Sequence, residues 1–150
     1  MEDIFNAIRS NELEEVQSIL DVDPTLVNVK NERGSTPLLL ASYYGFIDIT
    51  RLILKYNPRI NDKDNAGNTS LMGVCFKGYY DIAELLIKSG ADVNEKNFND
   101  ATALIYAATF GQKEIIKLLL ENGADIHAKD NKGYTAAMHA QNQGVDISII

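Results

Sequence analysis

The sequence predicts an all-α solenoid, in which helix-turn-helix units stack side by side and are joined by extended, hairpin-like loops. Two residue types that each recur every 33 residues support this fold class. Threonine recurs at Thr36, Thr69, Thr102 and Thr135. Glycine keeps the same spacing at Gly45, Gly78, Gly111 and Gly144. Each interval holds two short apolar helix patterns that cannot bury their faces alone, so neighbouring units must share one continuous core.

Each unit reads as a short helix, a turn, a second helix and a loop. The recurring threonine is placed to cap the first helix, because its hydroxyl accepts a hydrogen bond from a free backbone N–H group. Pro37 suits the first helical position, and Gly45 suits the left-handed residue that ends the helix. Asp48 then opens the second helix at the positive end of its dipole. Ile49 and Ile53 lie on one apolar face of that helix.

The spacing divides the single domain, residues 1–150, into a capping unit (1–30), three full units (31–63, 64–96 and 97–129) and a partial unit (130–150). The first unit carries Glu12, Glu14, Glu15 and Gln17, the polar outer face that a terminal cap requires. The last unit stops at "GVDISII", inside its predicted second helix. Two interpretations stay open here. Either the chain ends in a short final helix, or it is a segment of a longer array that is cut at Ile150.

Composition and motifs argue against several classes of function. The net charge of −7 opposes attraction to nucleic acid or anionic lipid. The acidic N-terminus is not a secretion signal, and no apolar run approaches the ~18–20 residues of a membrane span. Cys75 is the only cysteine, and its counterparts Ser42 and Ala108 are small, which predicts a packed residue rather than a reactive thiol. No catalytic motif is present. We therefore predict a cytoplasmic, non-enzymatic monomer with no metal and no cofactor.

These units resemble the ankyrin repeat, which is about 33 residues long and carries the signature Thr-Pro-Leu-His-x-Ala. The resemblance rests on "GADVN" (90–94), on "GADI" (123–126), and on Gly34, Thr36, Pro37, Leu38 and Ala41. It covers nearly the whole chain. It implies a protein-interaction module whose partner lies along the concave face, on the loop tips and the outer ends of the first helices.

The chain departs from the signature in three ways. The family histidine, which ties neighbouring loops together, is replaced by Leu39, Met72, Ile105 and Met138. We expect the polar ties either to be fewer or to come from threonine and asparagine, with apolar packing making up the difference. Asp100 replaces a turn glycine and should adopt a positive φ. Gly73 lies inside a helix at a cost of about 1 kcal/mol, and we predict that the ring of Tyr106, its counterpart one unit on, fills the space. A ligand pocket over Gly73 is the alternative.

Carried over position by position, the resemblance implies a concave binding surface rich in aromatic and cationic side chains. Its residues are Arg33, Tyr43, Tyr44, Lys63, Phe76, Lys77, Lys96, Phe98, Phe110, Lys129, Lys132 and Tyr134. Large aromatic residues with a polar rim suit an interface hot spot. Tyr43, Phe76 and Phe110 recur near one edge, and we predict that they form an exposed stripe. The lysines alternate with acids that would cancel part of their field.

We predict that this surface binds a partner protein that carries acidic and apolar groups. The alternative is a regulatory or targeting segment of a longer enzyme or effector. Nucleic-acid binding through the lysines and aromatic rings is a third hypothesis, and the net charge disfavours it.

Overall fold

The computed structural model describes residues 3–146, which contain nine α-helices, one 3-10 helix and no strand. The first helices of successive units are α1 (Ile4–Arg9), α3 (Pro37–Tyr43), α5 (Ser70–Lys77), α7 (Ala103–Thr109) and α9 (Ala136–Asn142). The second helices are α2 (Leu13–Val22), α4 (Ile47–Leu54), α6 (Tyr80–Lys88) and α8 (Lys113–Glu121), and the 3-10 helix (Pro24–Asn28) follows α2. This order confirms the predicted all-α solenoid. The last four residues, where the final helix and the cut at Ile150 were predicted, lie outside the described range.

The predicted caps are present at the first helices. Each threonine hydroxyl accepts a hydrogen bond from the backbone N–H group three residues on, as Thr36 does from Leu39 at 3.2 Å and Thr69 from Met72 at 3.3 Å. Such a cap stabilises a helix by about 1 kcal/mol. Asp100 has a φ of 59°, so it replaces the turn glycine as predicted.

The helices form two layers that pack on one continuous core. Successive first helices pack closely on each other, whereas successive second helices pack more sparsely. The first helices therefore form the more closely packed of the two layers. Core residues repeat with the units, and each of the following is no more than 1% exposed: Leu38, Leu71 and Leu104 in the first helices, and Ile53, Leu86 and Leu119 in the second.

Asparagine side chains tie neighbouring loops together, as expected from the loss of the signature histidine. The carboxamide oxygens of Asn28, Asn61 and Asn94 accept hydrogen bonds from backbone N–H groups of the next unit, at Arg59 (2.8 Å), Asp92 (2.9 Å) and Asp125 (2.7 Å). The asparagines recur with the unit length, so the same tie is made between successive loops.

Candidate partner-binding surface

Aromatic side chains of successive first helices meet along one side of the stack, the side predicted to bind a partner. The ring centroids of Phe76 and Phe110 lie 4.8 Å apart at 78°, and Tyr106 meets Phe76 edge to face at 6.2 Å. Phe76 is 39% exposed and Phe110 is 50% exposed. Tyr43, one unit earlier, is 42% exposed, and the ammonium of Lys77 lies 5.1 Å from the centroid of its ring. We call Tyr43, Phe76, Tyr106 and Phe110 the aromatic cluster.

Two clefts adjoin at this cluster. The smaller, of about 190 Å³, is lined by Tyr43, Asn68, Met72, Gly73, Phe76 and Tyr106. The larger, of about 610 Å³, shares Tyr43, Asn68 and Gly73 with it and is also lined by Arg9, Arg33 and Asp64. The two clefts therefore adjoin beside Gly73, which has no side chain to separate them.

The prediction that Tyr106 packs into the space over Gly73 is wrong. A Cβ atom built on Gly73 would meet only Cδ1 of Tyr43, at 3.4 Å. Tyr106 instead forms a wall of the smaller cleft. Its hydroxyl group accepts a hydrogen bond from Nδ2 of Asn97 at 3.0 Å and lies 3.4 Å from Oδ1 of Asn68. These polar partners hold the ring away from the glycine, so the space over Gly73 stays open.

Asn97 is the centre of this polar network and is only 4% exposed. Its Oδ1 accepts hydrogen bonds from the N–H groups of Asn99 and Ala101, both at 2.9 Å, which closes the loop tip. Its Nδ2 donates to Oδ1 of Asn68 in the preceding unit, also at 2.9 Å, as well as to Tyr106. Burial is the main cause that raises the pKa of Tyr106. The network therefore joins two loop tips to the aromatic cluster.

The lysines of the predicted surface are partly engaged within the protein. The ammonium group of each lysine in the series donates a hydrogen bond to the backbone carbonyl of the next lysine. The distances are 2.8 Å from Lys30 to Lys63, 2.7 Å from Lys63 to Lys96 and 3.3 Å from Lys96 to Lys129. Lys63 also pairs with Glu95 at 3.2 Å. These lysines therefore connect loops. Arg33, Lys77 and Lys132 are exposed beside the same loop tips and helix ends.

The remaining predicted aromatic residues lie apart from the cluster. Phe98 is 70% exposed and packs on the preceding loop tip, where a Cβ on Gly67 would lie 2.6 Å from its backbone nitrogen. Tyr44 contacts Phe46, with ring centroids 5.6 Å apart. Tyr134, 42% exposed, meets the ring of His139 at 5.5 Å. The structure thus brings together Tyr43, Phe76 and Phe110 but leaves these three rings separate.

The opposite face, formed by the second helices, is acidic around its exposed aromatic residue. Tyr80, at the start of α6, is 38% exposed. Partial burial raises its pKa, and the nearby carboxylates of Glu84, Glu121, Glu114 and Asp81 raise it further. The exposed cations Arg33 and Lys132 lie in loops, and Lys77 lies at the end of α5.

Other chemistry in the described part of the chain is limited. Cys75 is fully buried, and burial raises the pKa of its thiol. Between residues 3 and 146 no three His, Cys, Asp or Glu side chains are grouped as metal ligands. The helices of the same range are each too short or too polar to cross a bilayer.

The sequence reading missed one recurring pair of positions. The first member closes each loop tip through its side-chain oxygen and is Asn31, Asp64, Asn97 and Asp130 in successive units. The second lies nine residues on and is Leu40, Gly73, Tyr106 and His139. Asn97 bonds to Tyr106, and Asp130 lies 2.6 Å from His139. Aligning the units at these two positions would have revealed the pairing.

Comparison with known proteins finds ankyrin repeats along almost the whole chain. The family model for ankyrin repeats, in three copies, matches residues 4–97 and 91–148. Ankyrin repeat domain-containing protein 49 of Drosophila melanogaster is 41% identical over 54 residues, which are 36% of this chain and 25% of that protein. Ankyrin repeat and SAM domain-containing protein 6 of Rattus norvegicus is 36% identical over 59 residues, 39% of this chain and 7% of that protein.

A third relative is the serine/threonine-protein kinase VIK of Arabidopsis thaliana, which is 36% identical over 51 residues, 34% of this chain and 12% of the kinase. The matched segments therefore span a quarter or less of the length of these relatives.

Proposed function

This chain belongs to the ankyrin-repeat family, and we propose that its concave face binds a partner protein through the aromatic cluster and the cations beside it. Ankyrin repeats are generally protein-interaction modules and are typically non-catalytic. The partner surface that fits is apolar at its centre and acidic at its edge. The compartment we propose is the cytoplasm, and the binding unit is a monomer.

The observation that carries the proposal is the contact between exposed aromatic rings on consecutive units. The ring centroids of Phe76 and Phe110 lie 4.8 Å apart, yet each side chain keeps more than a third of its surface exposed. Aromatic side chains bury a large area and lose few rotamers on binding, which is why they dominate interface hot spots. Rings that pack on one another are already held in place, so binding orders them at little further cost.

The charges around the cluster suit an acidic partner. Lys77 lies over the ring of Tyr43, Arg33 lines the larger cleft with Tyr43, and Lys132 is exposed at a later loop tip. Carboxylates, by contrast, surround Tyr80 on the second helices. Charges at the rim of an interface mainly raise the association rate and set orientation. A partner with acidic groups is therefore steered to the concave face of a protein that is acidic overall.

Affinity capture from native lysate, with mass spectrometry, tests this proposal. The baits are the unsubstituted protein, the concave variant Tyr43→Ala, Phe76→Ala, Phe110→Ala, and the matched control Tyr80→Ala on the opposite face. Far-UV circular dichroism checks that each bait is folded. We expect one protein to be retained by the unsubstituted bait and by the control and to be lost with the concave variant. Retention by all three baits, or loss with Tyr80→Ala alone, would move the interface off the concave face.

A second function is favoured by the relatives. In the kinase and in the SAM domain-containing protein, the matched repeats are a small part of a longer chain. By this proposal the repeats regulate or target an enzyme or effector to which they are joined. Capture in trans by the isolated repeats distinguishes a binding module from repeats that regulate only their own chain, because the latter retain no separate protein.

A further inference from the structure

The second full unit lacks a side chain that two other units use to complete a polar pair. In the third unit the hydroxyl group of Tyr106 meets Asn97 at 3.0 Å. In the last unit Nε2 of His139 meets Oδ2 of Asp130 at 2.6 Å. The corresponding acid of the second unit is Asp64, and the residue nine positions on is Gly73. The second unit thus has the acid of the last unit without its imidazole.

Asp64 holds its loop in the same way as Asp130. Its Oδ1 accepts hydrogen bonds from the N–H groups of Ala66 at 2.9 Å and Asn68 at 3.0 Å. In the last unit, Oδ1 of Asp130 likewise accepts hydrogen bonds from the backbone N–H groups of Lys132 at 2.9 Å and Tyr134 at 3.0 Å. In the last unit the second carboxylate oxygen is bound by the imidazole. Across residues 3–146, no group of the protein donates to the corresponding Oδ2 of Asp64.

The space that the missing side chain leaves is open and has aromatic walls. Asp64 and Gly73 line the same cleft, and the adjoining 190 Å³ cleft brings Tyr43, Phe76 and Tyr106 around Gly73. A cavity of about 150 Å³ suffices for benzene, so an imidazole ring fits. Phe76 and Tyr106 already meet edge to face, and a third ring can join them in the same geometry.

We propose that a histidine of the partner protein enters this cleft, fills the space over Gly73 and donates a ring N–H to Oδ2 of Asp64. It would occupy the place that His139 occupies beside Asp130 in the last unit. The inference rests on the proposed function, because the cleft lies on the concave face. A hydrogen bond to a carboxylate is stronger than one between neutral groups, so the pair would add specificity within the apolar interface.

The charges near the cleft favour imidazole over a permanently cationic side chain. Arg9 and Arg33 line the larger cleft together with Asp64, and Lys77 lies over the ring of Tyr43. Lysine or arginine would bring a fixed positive charge towards these three cations. Histidine can enter neutral and still donate one N–H group.

A titration with free amino-acid amides tests the site without the partner. N-acetylhistidine amide is added to the ¹⁵N-labelled protein, and the backbone amide signals of Asn68, Gly73 and Tyr106 are followed by NMR. N-acetylphenylalanine amide is the matched probe without a ring N–H, and the arginine and tyrosine amides represent the other occupants. We expect saturable shifts at these three residues with the histidine probe and a dissociation constant at least tenfold higher with the phenylalanine probe.

Two variants and one control assign the effect to Asp64 and to the open space. Asp64→Asn keeps the loop closed, as Asn31 and Asn97 do at the same position, and should weaken the histidine probe about tenfold by removing the charge-assisted bond. Asp130→Asn is the matched control and should leave the dissociation constant of the histidine probe unchanged. Gly73→His supplies the imidazole within the chain, so it should abolish the shifts and melt at a higher temperature than Gly73→Phe.

The proposal is overturned if the histidine probe produces no saturable shifts, or if Asp64→Asn binds it as tightly as the unsubstituted protein. It is also overturned if the phenylalanine, arginine or tyrosine probe binds as tightly as histidine. These results concern the cleft alone. Loss of the captured protein with the concave variant decides the proposed function separately, so failure of one is distinguishable from failure of the other.

Discussion

Asn31 and Asn97 occupy the same position in two units, but only the carboxamide of Asn97 also forms hydrogen bonds beyond its own loop. Comparing substitutions at the two positions therefore measures how much these additional hydrogen bonds, here called the ties, contribute to stability. Asn31 accepts two hydrogen bonds within its own loop, from Arg33 and Ser35, both at 3.0 Å. Asn97 accepts the same two and also donates to Asn68 and Tyr106. Asn31→Ala therefore removes the loop bonds alone, whereas Asn97→Ala removes the loop bonds and the ties.

The difference between the two variants gives the contribution of the ties. Each hydrogen bond contributes about 1 kcal/mol net to stability, so Asn97→Ala should lower the free energy of unfolding by about 2 kcal/mol more than Asn31→Ala. For a chain of this length that corresponds to a difference in Tm of roughly 4–8 °C. Urea unfolding followed by far-UV circular dichroism measures the free energies, and the comparison holds if the m-value stays constant.

A double-mutant cycle with Tyr106→Phe assigns part of this difference. The hydroxyl group of Tyr106 is one partner of Asn97, so we expect a coupling energy of about 1 kcal/mol between the two substitutions. Equal losses of stability in Asn31→Ala and Asn97→Ala, within about 0.5 kcal/mol, would refute the reasoning. The cross-unit contacts would then contribute nothing beyond the loop bonds.

Three further results follow from the structure. Burial raises the pKa of the Cys75 thiol, so a thiol reagent near neutral pH should react fully in urea and not with the folded protein; fast labelling without urea would contradict the burial. Burial opposes ionisation of Asp130, but hydrogen bonds from backbone N–H groups and His139 outweigh it and lower its pKa. The stability it contributes is present above the unfolded-state pKa of about 4 and is lost as pH falls through the folded-state pKa. The stability difference from Asp130→Asn should therefore shrink below about pH 4 in urea titrations, and a constant difference would exclude this role. Gly73→Ala should stabilise the protein by about 0.5–1 kcal/mol, because alanine is the better helix residue. Gly67→Ala should destabilise it, because Gly67 has a φ of 82° and a Cβ atom there would lie 2.6 Å from a neighbouring backbone nitrogen. Thermal melts that rank the two variants the other way would contradict both predictions.

The fold could be predicted because its determinants are local and recur with the unit. Thr36 and its counterparts cap helices through their own hydroxyl groups, and Gly45 and its counterparts end them through their own φ. Neither effect needs a distant partner. Asp100 could be predicted for the same reason, since its positive φ is a property of the turn that contains it.

The site was less predictable because it depends on contacts between units. Aligned positions indicated that Tyr43, Phe76 and Phe110 recur near one edge, and the structure leaves all three exposed. The position of the Tyr106 ring is set by Asn97 and Asn68, which the spacing alone does not link to it. The same holds for Lys63, whose long side chain reaches a carbonyl of the next loop at a distance that only the stacked units define.

Site-specific photo-crosslinking in native lysate tests the central claim most directly, because it reports which face the partner contacts. p-Benzoylphenylalanine is placed at Phe110 on the concave face in one protein and at Tyr80 on the opposite face in another. The two residues are similarly aromatic and exposed, at 50% and 38%. The account predicts a covalent adduct with one protein from the position of Phe110 and no adduct with that protein from the position of Tyr80. An adduct from the position of Tyr80 alone would contradict it and place the partner on the second helices.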